Sequence, residues 1–209
     1  MSDETPKIEE RENGPLIAKH IRSLTGEDGA ALEVKPVMAL CRCGQSANKP
    51  FCDGTHTKIG FESRGGKPEG PDRFFTYEGR EVTVSFNPRL CGHAAECGRI
   101  ASNIFDVNQK PWVQPDNGTV AQVEAVVAAC PSGALQMGTP PQTIVDETRA
   151  QITVQKDGPY WVTGVPVVTD ATAEGVSERK YILCRCGKSG NKPYCDGTHR
   201  SAGWKSGNT

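Results

Sequence analysis

"CRCGQSANKPFCDGTH" at residues 41–56 and "CRCGKSGNKPYCDGTH" at residues 184–199 are one sixteen-residue pattern written twice. Each copy carries three cysteines and a histidine at the spacing C-x-C-x8-C-x3-H. Two thiolates one residue apart on an extended strand face the same side, so Cys41 with Cys43, and Cys184 with Cys186, can clasp one metal atom. A cysteine and a histidine four residues apart share one face of a helical turn, so Cys52 with His56, and Cys195 with His199, can clasp a second. Two irons joined by sulfide suit this pair of clasps, and a single tetrahedral zinc is the competing reading of a Cys3His set.

The duplication is longer than the ligand pattern. "GPLIAKHIRSL" (14–24) begins 27 residues ahead of Cys41, and "GPYWVTGVPVV" (158–168) begins 26 ahead of Cys184. Each copy runs from Gly-Pro through β-prone residues and a polar turn ("TGEDGA", "TDATAEG") into an apolar strand, "VMALC" or "YILC". Phe61 and Trp204 follow the histidines as apolar anchors. Units this small seldom bury a core alone, so the copies are expected to pack as an intrachain pseudo-dimer, leaving the chain a monomer.

Between them the pattern changes. "FFTYEGREVTVSFN" reads as a hairpin, "AAECGRIASNIFD" as a short helix, "TVAQVEAVVAAC" as an amphipathic helix and "GALQMG" as a closing strand. The expected organisation is an acidic disordered tail at 1–13, a first repeat at 14–61, a Gly/Pro-rich linker at 62–72, a middle module at 73–147 and a second repeat at 148–209. The fold class is α+β, with two small β-rich modules and an inserted α+β module.

The 209 residues are 36% hydrophobic and 6% aromatic, with 23 glycines and 15 prolines, so small modules held by something besides a large core are expected. The nine cysteines divide into three groups of three, the middle group being Cys91, Cys97 and Cys130. No export signal, transit peptide or membrane-length apolar run is visible, so a cytoplasmic location with reduced thiols is expected, and metal explains the cysteines better than disulfides. A net charge of −1 argues against nucleic acid as a partner. Arg42, Lys49, Lys58, Arg185, Lys188, Lys192 and Arg200 lie near the ligands, as a solvated basic rim or as a docking surface for an acidic redox partner.

The string C-x-C-x2-S-x3-P-x-C-D-G-T-H resembles the CDGSH iron–sulfur family, with Thr55 and Thr198 where the family name has serine. The resemblance implies a [2Fe-2S] cluster on three cysteines and one histidine in each copy, in a tandem pair that imitates a homodimer. The middle stretch, with C-x-H-A-A-x-C at 91–97 and Cys-Pro at 130–131, is similar to monocluster bacterial ferredoxins and to short divergent ferredoxin modules. Ala94 stands where the second ferredoxin cysteine would be, which leaves three thiolates and implies [3Fe-4S]. A [4Fe-4S] form would need another ligand, such as His93 or water, and an empty scaffold is the third option.

The expected function is electron transfer with a reductase or ferredoxin-type protein. Cluster storage and delivery to apo-proteins, or redox sensing, are the alternatives. No nucleophile–base set, phosphate-cradling loop or nucleotide fingerprint is present, so an enzyme is not expected.

Overall fold

The computed structural model describes residues 5–68, 70–146 and 148–207. The first half supplies β1 (Lys7–Glu10), β2 (Leu16–Lys19), β3 (Ser23–Thr25), β4 (Ala31–Leu32), β5 (Val37–Leu40) and the one-turn helix α1 (Thr55–Lys58). The middle module contains β6 (Phe75–Glu78), β7 (Thr83–Phe86), α2 (Glu96–Ile100), α3 (Val120–Ala129) and β8 (Leu135–Met137). The second half repeats the first as β9 (Gln151–Val154), β10 (Tyr160–Thr163), β11 (Val167–Val168), β12 (Lys180–Leu183) and α4 (Thr198–Ser201).

The two halves exchange strands. One sheet has the order β11-β1-β2-β5 and the other β12-β10-β9-β3-β4. β11 thus leaves its own half to pair in parallel with β1, and β3 pairs in parallel with β9. Burial alternates along β2, β5, β9 and β10, and their buried faces meet in a single core. Ile8, Leu16, Leu24 and Leu40 of the first half pack there with Ile152, Tyr160, Val162 and Leu183 of the second. Tyr160 closes the seam, its hydroxyl donating to the carbonyls of Cys41 at 2.7 Å and Pro50 at 3.0 Å. The paired halves are therefore one folding unit, because neither sheet is complete without a strand from the other.

One expectation about the organisation of the chain needs correction. The tail of residues 1–13 is not disordered from residue 7 onward: β1 is a sheet strand with Ile8 fully buried between β2 and β11. Its acidic residues are used rather than solvated, since Glu10 pairs with Arg42 and Arg64. Residues 1–4 lie outside the described residues. The linker expected at 62–72 is tied down near both ends. Ser63 accepts from Arg42 at 2.7 Å, and Asp72 accepts from Asn87 and from the Glu174 amide, both at 2.9 Å.

The middle module is a three-stranded antiparallel sheet, β6-β7-β8, with α2 and α3 packed on it. Thr119 and Gln122 form a reciprocal capping box that starts α3, and Val123, Val126 and Val127 supply its buried stripe. At the other end of α3, Lys180 of β12 reaches in. Its Nζ donates to the carbonyls of Val127 (2.6 Å), Ala128 (2.8 Å) and Ile144 (2.9 Å). An ammonium there satisfies orphan carbonyls at the negative end of the helix dipole, which is why a lysine can be buried at this position. The consequence shows in burial: all four residues of β12 are buried, whereas its counterpart β5 leaves Val37 exposed and Ala39 half-exposed. The middle module sits on the second half and leaves the first bare.

Among the described residues, no helix is long and apolar enough to cross a membrane.

Candidate iron–sulfur centres

Each ligand set is assembled from a strand end and a helical turn. β5 runs into Cys41 and Cys43, whose sulfurs lie 3.7 Å apart, and β12 runs into Cys184 and Cys186 at the same separation. Two sulfurs bound tetrahedrally to one metal at about 2.3 Å would stand about 3.8 Å apart, so both pairs are set for a shared atom. The third cysteine and the histidine close the second clasp: Cys52 Sγ is 3.3 Å from His56 Nδ1, and Cys195 Sγ is 3.4 Å from His199 Nδ1. Among the described residues, no three His, Cys, Asp or Glu groups converge on a single-ion site. The donors gather as pairs.

The turns are shaped by the residues between the ligands. Gly54 and Gly197 precede α1 and α4 with φ of 87° and 88°, the left-handed conformation that favours glycine. Asp53 and Asp196 are one residue further out than a helix cap. They brace the turn by accepting from the amides of Thr55 and Ala47, and of Thr198 and Gly190, at 2.8 to 3.0 Å. The amides of Gly54 and Gly197 point at Cys52 and Cys195 sulfurs at 3.5 and 3.4 Å. Phe61 and Trp204 pack over the strand-end cysteines, as anchors should.

Electrostatics favour a cation between the paired sulfurs. A hydrogen bond from Cys43 holds the Cys41 thiol down to about 6, while that same bond and burial push Cys43 far up. Cys184 is likewise held down to about 7 by Cys186. The first proton of each pair leaves easily and the second does not, because a second thiolate at 3.7 Å would meet unscreened repulsion. A bound cation removes that obstacle.

Arg42 and Arg185, expected on a solvated rim, are 1% exposed. Each threads inward behind its strand end. Arg42 donates Nε to Gly14 O at 2.7 Å and pairs with Glu10; Arg185 donates Nε to Gly158 O at 2.9 Å and pairs with Glu27 at 2.5 Å. The guanidinium groups stack near Phe61 and Trp204, at 5.4 and 5.0 Å. These contacts account for the matched Gly-Pro-to-Cys spacing, since the glycine carbonyl is the acceptor in both copies. Lys49 and Lys192 also turn back onto backbone carbonyls, those of Ser46 and Ser189, at 2.7 Å.

The two sites touch across the pseudo-twofold. Cys43 and Cys186 form a backbone β-bridge, and a Cβ on Gly44 would lie 2.5 Å from Cys186 O. Their surroundings differ. Cys52 and His56 are partly exposed and Asp53 is exposed, whereas Cys195, Asp196 and His199 are buried. The cover is the loop Gly92–Ala94: a Cβ on Gly92 would lie 2.1 Å from Ile182 Cδ1, and one on Gly197 would lie 2.4 Å from His93 Cδ2. Burial holds the imidazole of His199 below its ordinary range.

Cys91, Cys97 and Cys130 line one mostly apolar cavity with Trp112, Ser132 and Leu135. Burial pushes the Cys91 thiol up to about 12, with the neighbouring Cys130 and Cys97 adding to the effect, and Cys97 is raised for the same reason. Two thiols that resist ionisation, with a third cysteine beside them, again suit a multiply charged cation. His93 and Ala95 hold positive φ, 55° and 65°, so the loop between the first two cysteines is strained into place. His93 Nδ1 is 3.9 Å from Cys91 Sγ, with the other edge of its ring against Gly197. Ala94 lies in the cavity wall.

The description "iron-binding zinc finger CDGSH type" matches residues 13–57 and 157–200, and "divergent 4Fe-4S mono-cluster" matches residues 77–139. The chain belongs to the CDGSH family and carries a divergent ferredoxin module between its two CDGSH repeats. The uncharacterized proteins YjdI of Escherichia coli (strain K12) and of Escherichia coli O157:H7 are each 42% identical to it over 60 residues. That stretch is 29% of this chain and 79% of each relative. The CDGSH and ferredoxin matches together make this an iron–sulfur protein.

Two contributors to the CDGSH sites were not found in the sequence. Lys180 reads as the polar start of a strand, and Glu27 as an ordinary turn residue. Only their distant partners, α3 and Arg185, give them a role.

Proposed function

We propose that the chain is a non-enzymatic electron carrier with a [2Fe-2S] cluster at each CDGSH set and a [3Fe-4S] cluster at Cys91, Cys97 and Cys130. Cys41, Cys43, Cys52 and His56 would hold one two-iron cluster, and Cys184, Cys186, Cys195 and His199 the other. When bound, such clusters supply one-electron redox chemistry at potentials set by ligand charge, hydrogen bonds and exposure. The paired donors, rather than four around one point, support two iron atoms per set over a single zinc. Ala94 in the wall of a cavity lined by Cys91, Cys97 and Cys130 supports three irons in the middle.

The observation that carries the electron-transfer reading is contiguity. The middle site abuts the second CDGSH set through Gly92 and Cys195, and the second abuts the first through the Cys43–Cys186 bridge. The chain thus strings its sites in one order, with the exposed set at one end. His56 and His199 contribute neutral ligands in place of thiolates, which raises the potential of each set. The thiols of all nine cysteines are free, which fits a reducing, cytoplasmic compartment.

Cluster delivery to an apo-protein is a second reading. It is favoured by the partial exposure of Cys52 and His56.

The test is iron and sulfide analysis of anaerobically purified protein together with electron paramagnetic resonance. Oxidised two-iron centres are silent, so a near-isotropic signal in the oxidised protein identifies the three-iron centre. Iron at the level of two two-iron clusters without that signal would refute it, and zinc in the CDGSH sets would refute the function.

A further inference from the structure

The ferredoxin module occupies a definite face of the second CDGSH half, and pseudosymmetry gives the first half the same face. Lys180, Ile182, Asn191 and Cys195 correspond to Val37, Ala39, Asn48 and Cys52, each pair being 143 positions apart. All four second-half residues meet the ferredoxin module. Lys180 holds the end of α3, Ile182 packs on Gly92, Asn191 donates to Arg89 O at 3.4 Å, and Cys195 Sγ would be 3.9 Å from a Cβ on Gly92. All four first-half counterparts instead line one open groove of about 340 Å³, floored by Met38 and Phe51 and flanked by Glu33 and Lys35.

We infer that this groove is the docking site for a separate ferredoxin-type iron–sulfur protein, seated on the first half as the built-in module is seated on the second. The inference deepens the electron-transfer reading and rests on it. Three observations select that occupant. The groove reaches Cys52, a ligand of the exposed set, so a protein seated there is brought against the site as Gly92 is brought against Cys195. Its floor is apolar and Val37 beside it is 56% exposed, so a protein seated there buries apolar surface next to the ligand set. The ammonium that clamps α3 is missing, because Val37 stands where Lys180 is. A module docked on the first half therefore lacks that clamp and can leave, as a redox partner must.

A second copy of the chain is a poorer occupant. Its matching contacts, those of Gly92 and of the carbonyls at the end of α3, are already taken by Ile182 and Lys180 of its own second half.

In the exchange, the partner's reduced iron–sulfur cluster gives up one electron and is oxidised, while the Cys41–His56 set takes up that electron and is reduced. No bond is made or broken.

The test uses the cluster-loaded full chain and, as probe, a reduced single-cluster bacterial ferredoxin mixed in a stopped-flow instrument. Val37→Glu and Ala39→Arg should slow the electron exchange at least about tenfold. Val168→Glu, an equally exposed valine on β11 away from the groove, should leave it unchanged. Addition of the oxidised probe should also protect amides of residues 37–40 from hydrogen exchange, in the parent and not in the two variants. Circular dichroism and the visible spectrum check that the variants are folded and loaded.

Exchange that proceeds equally fast in parent and groove variants overturns the docking site and leaves the electron-transfer reading standing. No exchange from a reductant strong enough to reduce the sets chemically sinks that reading, and the docking site with it. A concentration-dependent dimer that the groove variants abolish assigns the face to a second copy and overturns the proposal.

Discussion

The same substitution made in the two CDGSH turns should have unequal costs, and the difference measures how the ferredoxin module covers one of them. Gly54 and Gly197 share a left-handed backbone, with φ of 87° and 88°. Alanine there meets a backbone penalty of about 1–2 kcal/mol at either position. A Cβ at Gly54 would find nothing within 4 Å, whereas one at Gly197 would lie 2.4 Å from His93 Cδ2 and 3.2 Å from Nε2. Displacing that ring adds roughly 1–3 kcal/mol of overpacking. Gly54→Ala should thus cost about 1–2 kcal/mol and Gly197→Ala about 2–5 kcal/mol. The assay is urea unfolding of the cluster-loaded chain, followed by circular dichroism and visible absorbance, with hydrogen exchange at residues 92–97 reporting on the covering loop. His93→Gly relieves its own left-handed strain in every background. The test is therefore the coupling beyond that general gain, about 1–3 kcal/mol with Gly197→Ala and none with Gly54→Ala, which a thermodynamic cycle isolates. Equal costs at the two glycines, or no such coupling with His93→Gly, would refute the packing of this loop on the second set.

Lys180→Met should destabilise the chain by roughly 2–4 kcal/mol, since it strips the end of α3 of its cation and leaves three carbonyls short of a donor. Hydrogen exchange should then rise in the last turn of α3 and in β12 but not in β5; uniform loosening of both halves would contradict the one-sided clamp. His56→Cys or His199→Cys should lower the potential of its own set, on the order of 100 mV, because an added thiolate disfavours reduction. Redox titration of each variant should show the other set unmoved. Lowering the pH should bleach the His56 set before the His199 set, since only the latter is shielded by the Gly92–Ala94 loop. Rapid-mixing absorbance on the two His→Cys variants separates the two phases, and a single shared phase would count against the difference in access.

The ligands were legible because their spacing is local. C-x-C on a strand and C-x3-H on a helical turn place donors together whatever the rest of the chain does, and the structure puts these pairs at 3.3 to 3.7 Å. The hairpin β6–β7, the capped helix α3 and the pseudo-dimer were visible for similar reasons of period and repetition. β1 was missed because four residues, two of them acidic, carry little apolar signal, and because its partner strand β11 lies about 160 positions away. Arg42 and Arg185 were misplaced by their charge. A guanidinium is buried only when acceptors surround it, and those acceptors, Gly14 and Glu10 or Gly158 and Glu27, are supplied by chain folding rather than by neighbours in sequence.

Duplication alone would give two equivalent centres, yet the sixteen-residue copies end up differing in burial with almost no difference in their own residues. The asymmetry therefore comes from contacts, and the contacts come from a few changes on one face. Val37 against Lys180 decides which half can hold the end of α3, because the ammonium donates to its carbonyls and a valine side chain has no donor to offer. Ala39 against Ile182 decides which half offers a side chain long enough to pack on Gly92. Both substitutions lie on the strand that leads into the C-x-C pair, so the strand that positions two ligands also selects the neighbour of the centre. A tandem chain can vary these positions in one copy only, whereas in a true homodimer each change appears on both faces. Covalent linkage of the two halves thus permits one set to be enclosed against a resident module while its twin keeps an open groove.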